Sequence, residues 1–199
     1  MLQSGTNVYY CPKAAANGQT TPVTDRSGLD KTCVLTVDVV KKVAAMLKAA
    51  NAPRIAGDYV CILHPYVAYD IMSDPHWEDM HKYCSPENMY EGEIGRIAGV
   101  RFVETSEAAV YKGAGDECPD GLAVFGCLFL AEGAYGVTEV TGGGLQTIVK
   151  QLGSAGTADP LDQRSTVGWK ALQTAEILME PYMVRVECCS AFSPTAEAN

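Results

Sequence analysis

A short apolar run in the first third of the chain limits the folds that the chain can adopt. Residues 59–63 are Tyr-Val-Cys-Ile-Leu, preceded by Gly57-Asp58 and followed by His64-Pro65. Five consecutive apolar residues between turn residues are typical of a strand that is buried on both faces. Proline fits the first turn of a helix, because the amide hydrogen that it lacks has no partner there. We therefore predict a buried strand followed directly by a helix that begins at Pro65.

The segment before this strand has the spacing of an amphipathic helix. Six apolar residues form one stripe: Val39, Val40, Val43, Met46, Leu47 and Ala50. Thr36 is a suitable N-cap, and Asp38 falls in the first turn, where a carboxylate interacts favourably with the helix dipole. Asn51 and Pro53 end the pattern, because proline disfavours helical geometry in the residue before it.

A helix pair and further strands follow the buried strand. Pro65 starts the first helix and Pro75 the second, which carries Trp77, Met80 and Tyr83. The order helix, strand, helix pair, strand predicts a mixed α/β lobe. Strand patterns dominate the remainder of the chain. The predicted strands are residues 122–130, 145–152, 169–179 and 182–191, of which the last two form a pair that turns near Glu180-Pro181.

The charge and cysteine content exclude several classes of function. The formal net charge is -9, and only 15 lysines and arginines are scattered along 199 residues. Sequence-independent phosphate binding needs clustered cations, so we expect no nucleic-acid-binding surface. The apolar runs are shorter than the roughly 20 residues of a membrane helix, and the first residues lack the pattern of a leader. We expect a soluble chain that is not exported, with eight reduced cysteines, of which Cys61 and Cys127 lie in the core.

One group of residues has the chemistry of a zinc site but not its spacing. His76, His81 and Cys84 can all donate to zinc. Metal ligands on one helix need separations of three or four residues to share a face, whereas the two histidines are five apart. We predict no metal site and no cofactor.

Two further motifs resemble catalytic sites without completing them. Glu91 and Glu93 could act as paired carboxylates, but no histidine, arginine or pocket aromatic accompanies them. Glycines 142–144 lead into Leu-Gln-Thr rather than the Gly-Lys-Ser/Thr of a phosphate loop. We therefore predict that the chain has no catalytic residue and is not an enzyme.

Three blocks of sequence together carry a family resemblance. They are GDYVCILHP at residues 57–65, GEIGRIAGVRFVET at residues 92–105 and STVGWKA at residues 165–171. With them the chain resembles the N-four-type major capsid (coat) proteins of tailed double-stranded-DNA bacteriophages, which have the Hong-Kong-97 capsid fold. The resemblance covers about residues 55 to 190.

This resemblance implies an α+β fold made of the axial domain and part of the peripheral domain. It assigns residues 1–35 to an irregular peripheral segment, 36–160 to an axial-type α/β domain, and 161–199 to the return strands of the peripheral domain and a tail. The family's N-terminal arm, extended loop and spine helix have no counterpart ahead of these blocks. We therefore expect the chain to correspond to the carboxy-terminal two-thirds of a coat protein.

The resemblance also implies a structural function. The expected protein is a capsid subunit that self-assembles as pentamers and hexamers into the icosahedral shell of a phage or prophage. It would enclose double-stranded DNA without specific binding, work with scaffold and portal proteins, contact no membrane, and assemble in the host cytoplasm into the virion. An encapsulin-like compartment shell is one alternative. A cytosolic metal- or thiol-dependent enzyme that uses His76, His81 and Cys84 is the other.

Subunit contacts in such a shell would involve exposed apolar patches and arginines that pair with carboxylates of neighbours. The candidate interface residues are Tyr9, Tyr10, Trp169 and Tyr182 for the apolar patches, and Arg96, Arg101, Arg164 and Arg185 for the ion pairs.

Overall fold

The computed structural model describes residues 5–14, 19–77, 95–113, 117–119, 121–138, 143–154 and 156–195. The chain divides into two compact units, one made of residues 1–134 and 177–199, and the other of residues 135–176. No helix among the described residues is long and apolar enough to span a membrane.

The larger unit contains the helices α1 (Val37–Ala49) and α2 (Pro65–Met72). Its strands are β1 (Val8–Tyr10), β2 (Lys13–Ala14), β3 (Thr20–Thr21), β4 (Tyr59–Leu63), β5 (Arg96–Ile97), β6 (Val100–Glu104), β7 (Val110–Lys112), β8 (Ala123–Leu130) and β13 (Met183–Cys188). The strands of the smaller unit are β9 (Tyr135–Thr138), β10 (Gln146–Lys150), β11 (Thr166–Lys170) and β12 (Thr174–Ile177), the last of which ends at the boundary between the units.

A mixed seven-stranded sheet forms the centre of the larger unit. Its strand order is β1-β13-β8-β4-β6-β5, and β7 pairs with the start of β8. β4 is parallel to β6, and β1 is parallel to β13, while β8 is antiparallel to both β4 and β13. The predicted bounds of β4 and the start of α2 at Pro65 are confirmed.

The prediction that β4 is buried on both faces is wrong. Tyr59, Cys61 and Leu63 are buried, but Val60 and Ile62, which point to the other side of the sheet, are only half-buried. The first face belongs to the main core, together with Phe125 and Phe129. Four residues of the predicted α1 stripe join this core, namely Val39, Val40, Val43 and Leu47, whereas Met46 is exposed. The second face is less completely covered, so an apolar side chain there keeps part of its surface in water.

Both helices begin where the sequence predicts, with different capping groups. α1 follows Thr36, whose side chain makes no cap hydrogen bond. Instead the amide of Val37 donates to Oδ2 of Asp74 at 3.0 Å. The first amides of a helix need external acceptors, and a carboxylate from the segment after α2 supplies one here. At α2 the ring Nδ1 of His64 accepts from the amide of Tyr66 at 3.2 Å.

The predicted pairing of the last two strand segments is wrong. The segment predicted as residues 169–179 contains parts of two strands, β11 and β12, and β12 pairs with β9. β13 lies between β1 and β8 in the large sheet. Four of the six residues of β13 are apolar and buried. The strand therefore buries more apolar surface in the large sheet than it would in an exposed hairpin. Residues 75–77 are helical as predicted, while Met80 and Tyr83 lie outside the described residues.

Candidate assembly surface

β10 and β11 form an antiparallel two-stranded ribbon in which all ten residues are exposed. The register places Thr147 opposite Trp169 and Val149 opposite Val167. Paired residues of a ribbon point to the same side, and successive residues alternate between sides. These four side chains therefore share one side, which we call the apolar ribbon face.

The opposite side of the ribbon has a different composition. Gln146 pairs with Lys170, Ile148 with Gly168, and Lys150 with Thr166. This polar ribbon face carries two cations, one near each end, and only one large apolar side chain.

The apolar ribbon face is unusually exposed for its composition. The exposed fractions are 74% for Trp169, 76% for Val167 and 60% for Val149. Large apolar residues around the ribbon are exposed as well: Leu145, Leu152, Leu161 and Leu172. An isolated two-stranded ribbon is only marginally stable in water, and contiguous exposed apolar patches mark sites of protein contact. The geometry of this surface suits association rather than chemistry.

Of the predicted interface residues, Trp169 is the one that lies on the ribbon. Arg96 and Arg101 are opposite each other in the β5–β6 hairpin, and both are exposed. Nε of Arg96 lies 3.2 Å from Oδ2 of Asp58. Arg164 is exposed, and its backbone amide donates to Oδ2 of Asp159 at 2.7 Å. Arg96 and Arg101 thus belong to the larger unit, and Arg164 belongs with Trp169 to the smaller one.

The three predicted tyrosines are half-buried. Tyr9 and Tyr10 on β1, and Tyr182 just before β13, all pack against the main core. Burial raises the pKa of Tyr9 and Tyr10 above the ordinary value. Their apolar surface is therefore already partly covered within the chain.

Arg185 is engaged within the chain. Its side chain is 12% exposed, and its Nε donates to Oε1 of Glu187 at 3.0 Å. Arg26 approaches the same carboxylate with two donors at 2.6 Å, one to each oxygen, and stacks over the ring of Tyr111 at 4.0 Å. The hydrogen bonds to Glu187 raise the pKa of Arg26. This Arg–Glu–Arg network joins the segment before α1 to β13, and the sequence contains no local signal for it.

The thiols have the properties of core residues. Seven cysteines are described, and all are buried with no disulfide. Burial raises the pKa of Cys61, and raises that of Cys189 to about 12. The hydrogen bond with Cys188 raises the pKa of Cys127. Nucleophilic attack requires the thiolate, and a raised pKa disfavours the thiolate of these three cysteines near neutral pH. The core positions predicted for Cys61 and Cys127 are confirmed.

An open groove of about 1100 Å³ lies beside α1 and the end of α2, and its lining includes His76. Of the three carboxylates there, Asp38 pairs with Lys41, and the other two accept hydrogen bonds from backbone amides. Asp74 accepts from the amides of Val37 and His76, and Asp70 accepts from the amide of Ala191 at 3.2 Å. Within the described part of the chain, no group of three or more histidine, cysteine or acidic side chains could hold a metal. His81, Cys84, Glu91 and Glu93 lie outside that part.

Comparison with known proteins gives a family and a fold. A sequence model of the family described as "Phage capsid protein" matches residues 3–154. No curated protein sequence matches the chain.

Solved structures of shell proteins resemble the fold at low sequence identity. The capsid of Ralstonia phage GP4 matches with a TM-score of 0.61 and 13% identity over 94% of this chain and 53% of that chain. The cyanophage Pam1 capsid matches with a TM-score of 0.67 and 13% identity over 93% and 54%. The holo-SrpI encapsulin complex from Synechococcus elongatus PCC 7942 matches with a TM-score of 0.50 and 8% identity over 97% and 56%. The chain thus spans little more than half of the length of these proteins, and the predicted α+β fold of Hong-Kong-97 type is confirmed.

Proposed function

This chain belongs to the phage capsid protein family, and from that premise we propose that it is a structural subunit of a bacteriophage shell that functions by binding copies of itself. The function requires no enzymatic turnover. In the proposed virion, pentamers and hexamers form an icosahedral shell that assembles in the host cytoplasm, with scaffold and portal proteins as further partners.

The exposed ribbon is the observation that supports this proposal most directly. Its apolar face carries Val149, Val167 and Trp169, each more than half exposed. A shell subunit needs surfaces that neighbouring copies complete, because specific interfaces bury about 1,200–2,000 Å² in total. We propose Trp169 as a contact residue on this surface.

Ion pairs between copies are the second part of the proposal. Arg96, Arg101 and Arg164 are exposed on a chain of net charge -9. Carboxylates of neighbouring copies are therefore abundant partners, and such rim pairs would guide association more than they would strengthen it. We propose that Tyr9, Tyr10 and Tyr182 contribute their remaining exposed edges. The acidic balance also supports enclosure of DNA without specific binding, because the chain would repel the phosphates.

An encapsulin-like compartment is the alternative supported by an observation, since the encapsulin complex shares the fold at a TM-score of 0.50. The two functions differ in what the shell contains. Particles isolated from the native host would hold nuclease-protected DNA in the first case and protein in the second.

The test of the proposed function is the size of the purified chain as a function of concentration, measured by light scattering after chromatography and by negative-stain imaging. We expect masses well above the 21.2 kDa of one chain, and rings or shells at high concentration. A chain that remains monomeric up to millimolar concentration would contradict the proposal.

A further inference from the structure

We propose that the apolar ribbon face docks against the same face of a second copy, so that two ribbons stack face to face across a two-fold axis. The inference rests on the proposed function, since it presumes that copies of the chain associate. It adds the surface, the symmetry and the residues of one contact.

The composition of the two ribbon faces selects this arrangement. The apolar face is built of Thr147, Val149, Val167 and Trp169, with no charged side chain among the four. Stacked sheets pack about 10 Å apart when their inner side chains are apolar and interdigitate. The polar face places Lys150 and Lys170 outward, and two such faces would bring like charges together without counterions. Only one side of the ribbon can therefore bind itself, which limits the contact to pairs.

The area available is enough for a weak contact. From the exposed fractions of Trp169, Val167 and Val149 and of the neighbouring Leu145, the apolar ribbon face together with Leu145 offers on the order of 500 Å² per copy, given that an aromatic side chain alone can bury about 150–250 Å². Two copies would bury about 1,000 Å², which is below the range of stable interfaces and close to the minimum for a weak specific one. This contact would be weak alone and effective when repeated around a shell.

The shape of the apolar ribbon face also favours a second ribbon as its partner, because a flat surface of β-branched side chains is best covered by another such surface. Val149 and Val167 form a cross-strand pair, and Trp169 lies diagonally beside them. Face-to-face stacking turns a marginal two-stranded ribbon into a four-stranded sandwich with its own small core. The same surface thereby gains both stability and specificity on association.

A pair of adjacent cysteine substitutions tests the orientation. Val167→Cys lies on the apolar ribbon face and Thr166→Cys on the polar ribbon face, one residue away. With a bismaleimide that spans about 10 Å, the sheet-to-sheet distance, we expect Val167→Cys to give covalent dimers and Thr166→Cys to remain monomeric. The background is set by the wild-type chain, whose seven described thiols are buried. Equal cross-linking of the two variants, or a ladder beyond dimers from Val167→Cys, would overturn the face-to-face contact.

Sedimentation of Trp169→Ser separates this inference from the proposed function. We expect the dissociation constant to rise about tenfold or more, because a buried tryptophan at the centre of a contact is a typical hot spot. Lys170→Ser, on the other face, should change it less than about twofold. If both variants associate like the wild type, the ribbon inference fails while self-association stands. If the wild type never associates, the proposed function fails too.

Discussion

Substitution of Glu187 by Gln tests whether the Arg–Glu–Arg network holds the larger unit together. Glu187 is fully buried on β13 and accepts hydrogen bonds from Arg26 and Arg185. Gln has the same size but no charge, so Glu187→Gln leaves two guanidinium groups around a neutral amide with one acceptor oxygen.

The expected cost follows from the burial of the partners. Removing one partner of a buried ion pair costs about 3–5 kcal/mol, because the remaining charges lose their compensation. The hydrogen bonds change in the same direction, because the amide has one acceptor oxygen, so at least one of the three charge-assisted bonds is lost at about 1.5–3 kcal/mol and the others lose their charged acceptor. We therefore expect urea unfolding, followed by circular dichroism, to show a loss of about 3–5 kcal/mol.

Two controls make this prediction specific. Arg96→Gln breaks an ion pair whose arginine is 69% exposed, and it should cost less than about 1 kcal/mol. The triple variant Arg26→Met, Arg185→Leu, Glu187→Met replaces the whole network with apolar groups, and it should be more stable than Glu187→Gln. Equal stabilities for Glu187→Gln and Arg96→Gln, or a triple variant worse than the single one, would refute the reasoning.

Three further predictions concern the cap, the thiols and one buried carboxyl. Asp74→Ala removes the acceptor for the amide of Val37 and should lower the free energy of unfolding by about 1 kcal/mol. If Thr36→Ala lowered the free energy of unfolding by more than Asp74→Ala does, the assigned cap would be contradicted. A chromogenic disulfide reagent at pH 8 should react rapidly with at most one of the eight cysteines in the folded chain and with all of them in urea, because seven are buried. Burial raises the pKa of Asp70 above the ordinary value of 3.8, so the folded state favours the protonated form. The free energy of unfolding of the wild type, relative to that of Asp70→Asn, should therefore rise as the pH falls through this raised pKa and stay constant below 3.8. A difference between the two variants that does not change with pH over this range would refute the shift.

The helices and β4 could be predicted from the sequence because their signals are local. The stripe of α1, the proline that opens α2 and the apolar run of β4 each specify a structure within a dozen residues. The cap of α1 shows the limit of such reasoning. Thr36 has the right position, but the hydrogen-bonding carboxylate comes from Asp74, which is 37 residues away from Val37.

The strand pairing could not be predicted either, because it also depends on residues that are far apart in the sequence. Nothing near β13 indicates that it inserts between β1 and β8, because the partner residues lie 53 or more positions away in sequence. Long-range pairing depends on total burial, which local patterns do not report. The half-buried side of β4 was missed likewise, since Val60 and Ile62 are apolar whether or not something covers them.

The assembly surface was hardest to predict because its chemistry is shared with ordinary core residues. Val149, Val167 and Trp169 have the composition of an interior strand, and only the register and the exposed fractions separate them from one. A catalytic site carries residue types that are costly to bury and so stand out in a sequence. A contact surface in a shell consists of apolar residues that are buried only after association, so before association it is indistinguishable in sequence from core. For such a protein, the family resemblance predicts the fold, and the exposed core-like surface is where we propose that copies meet.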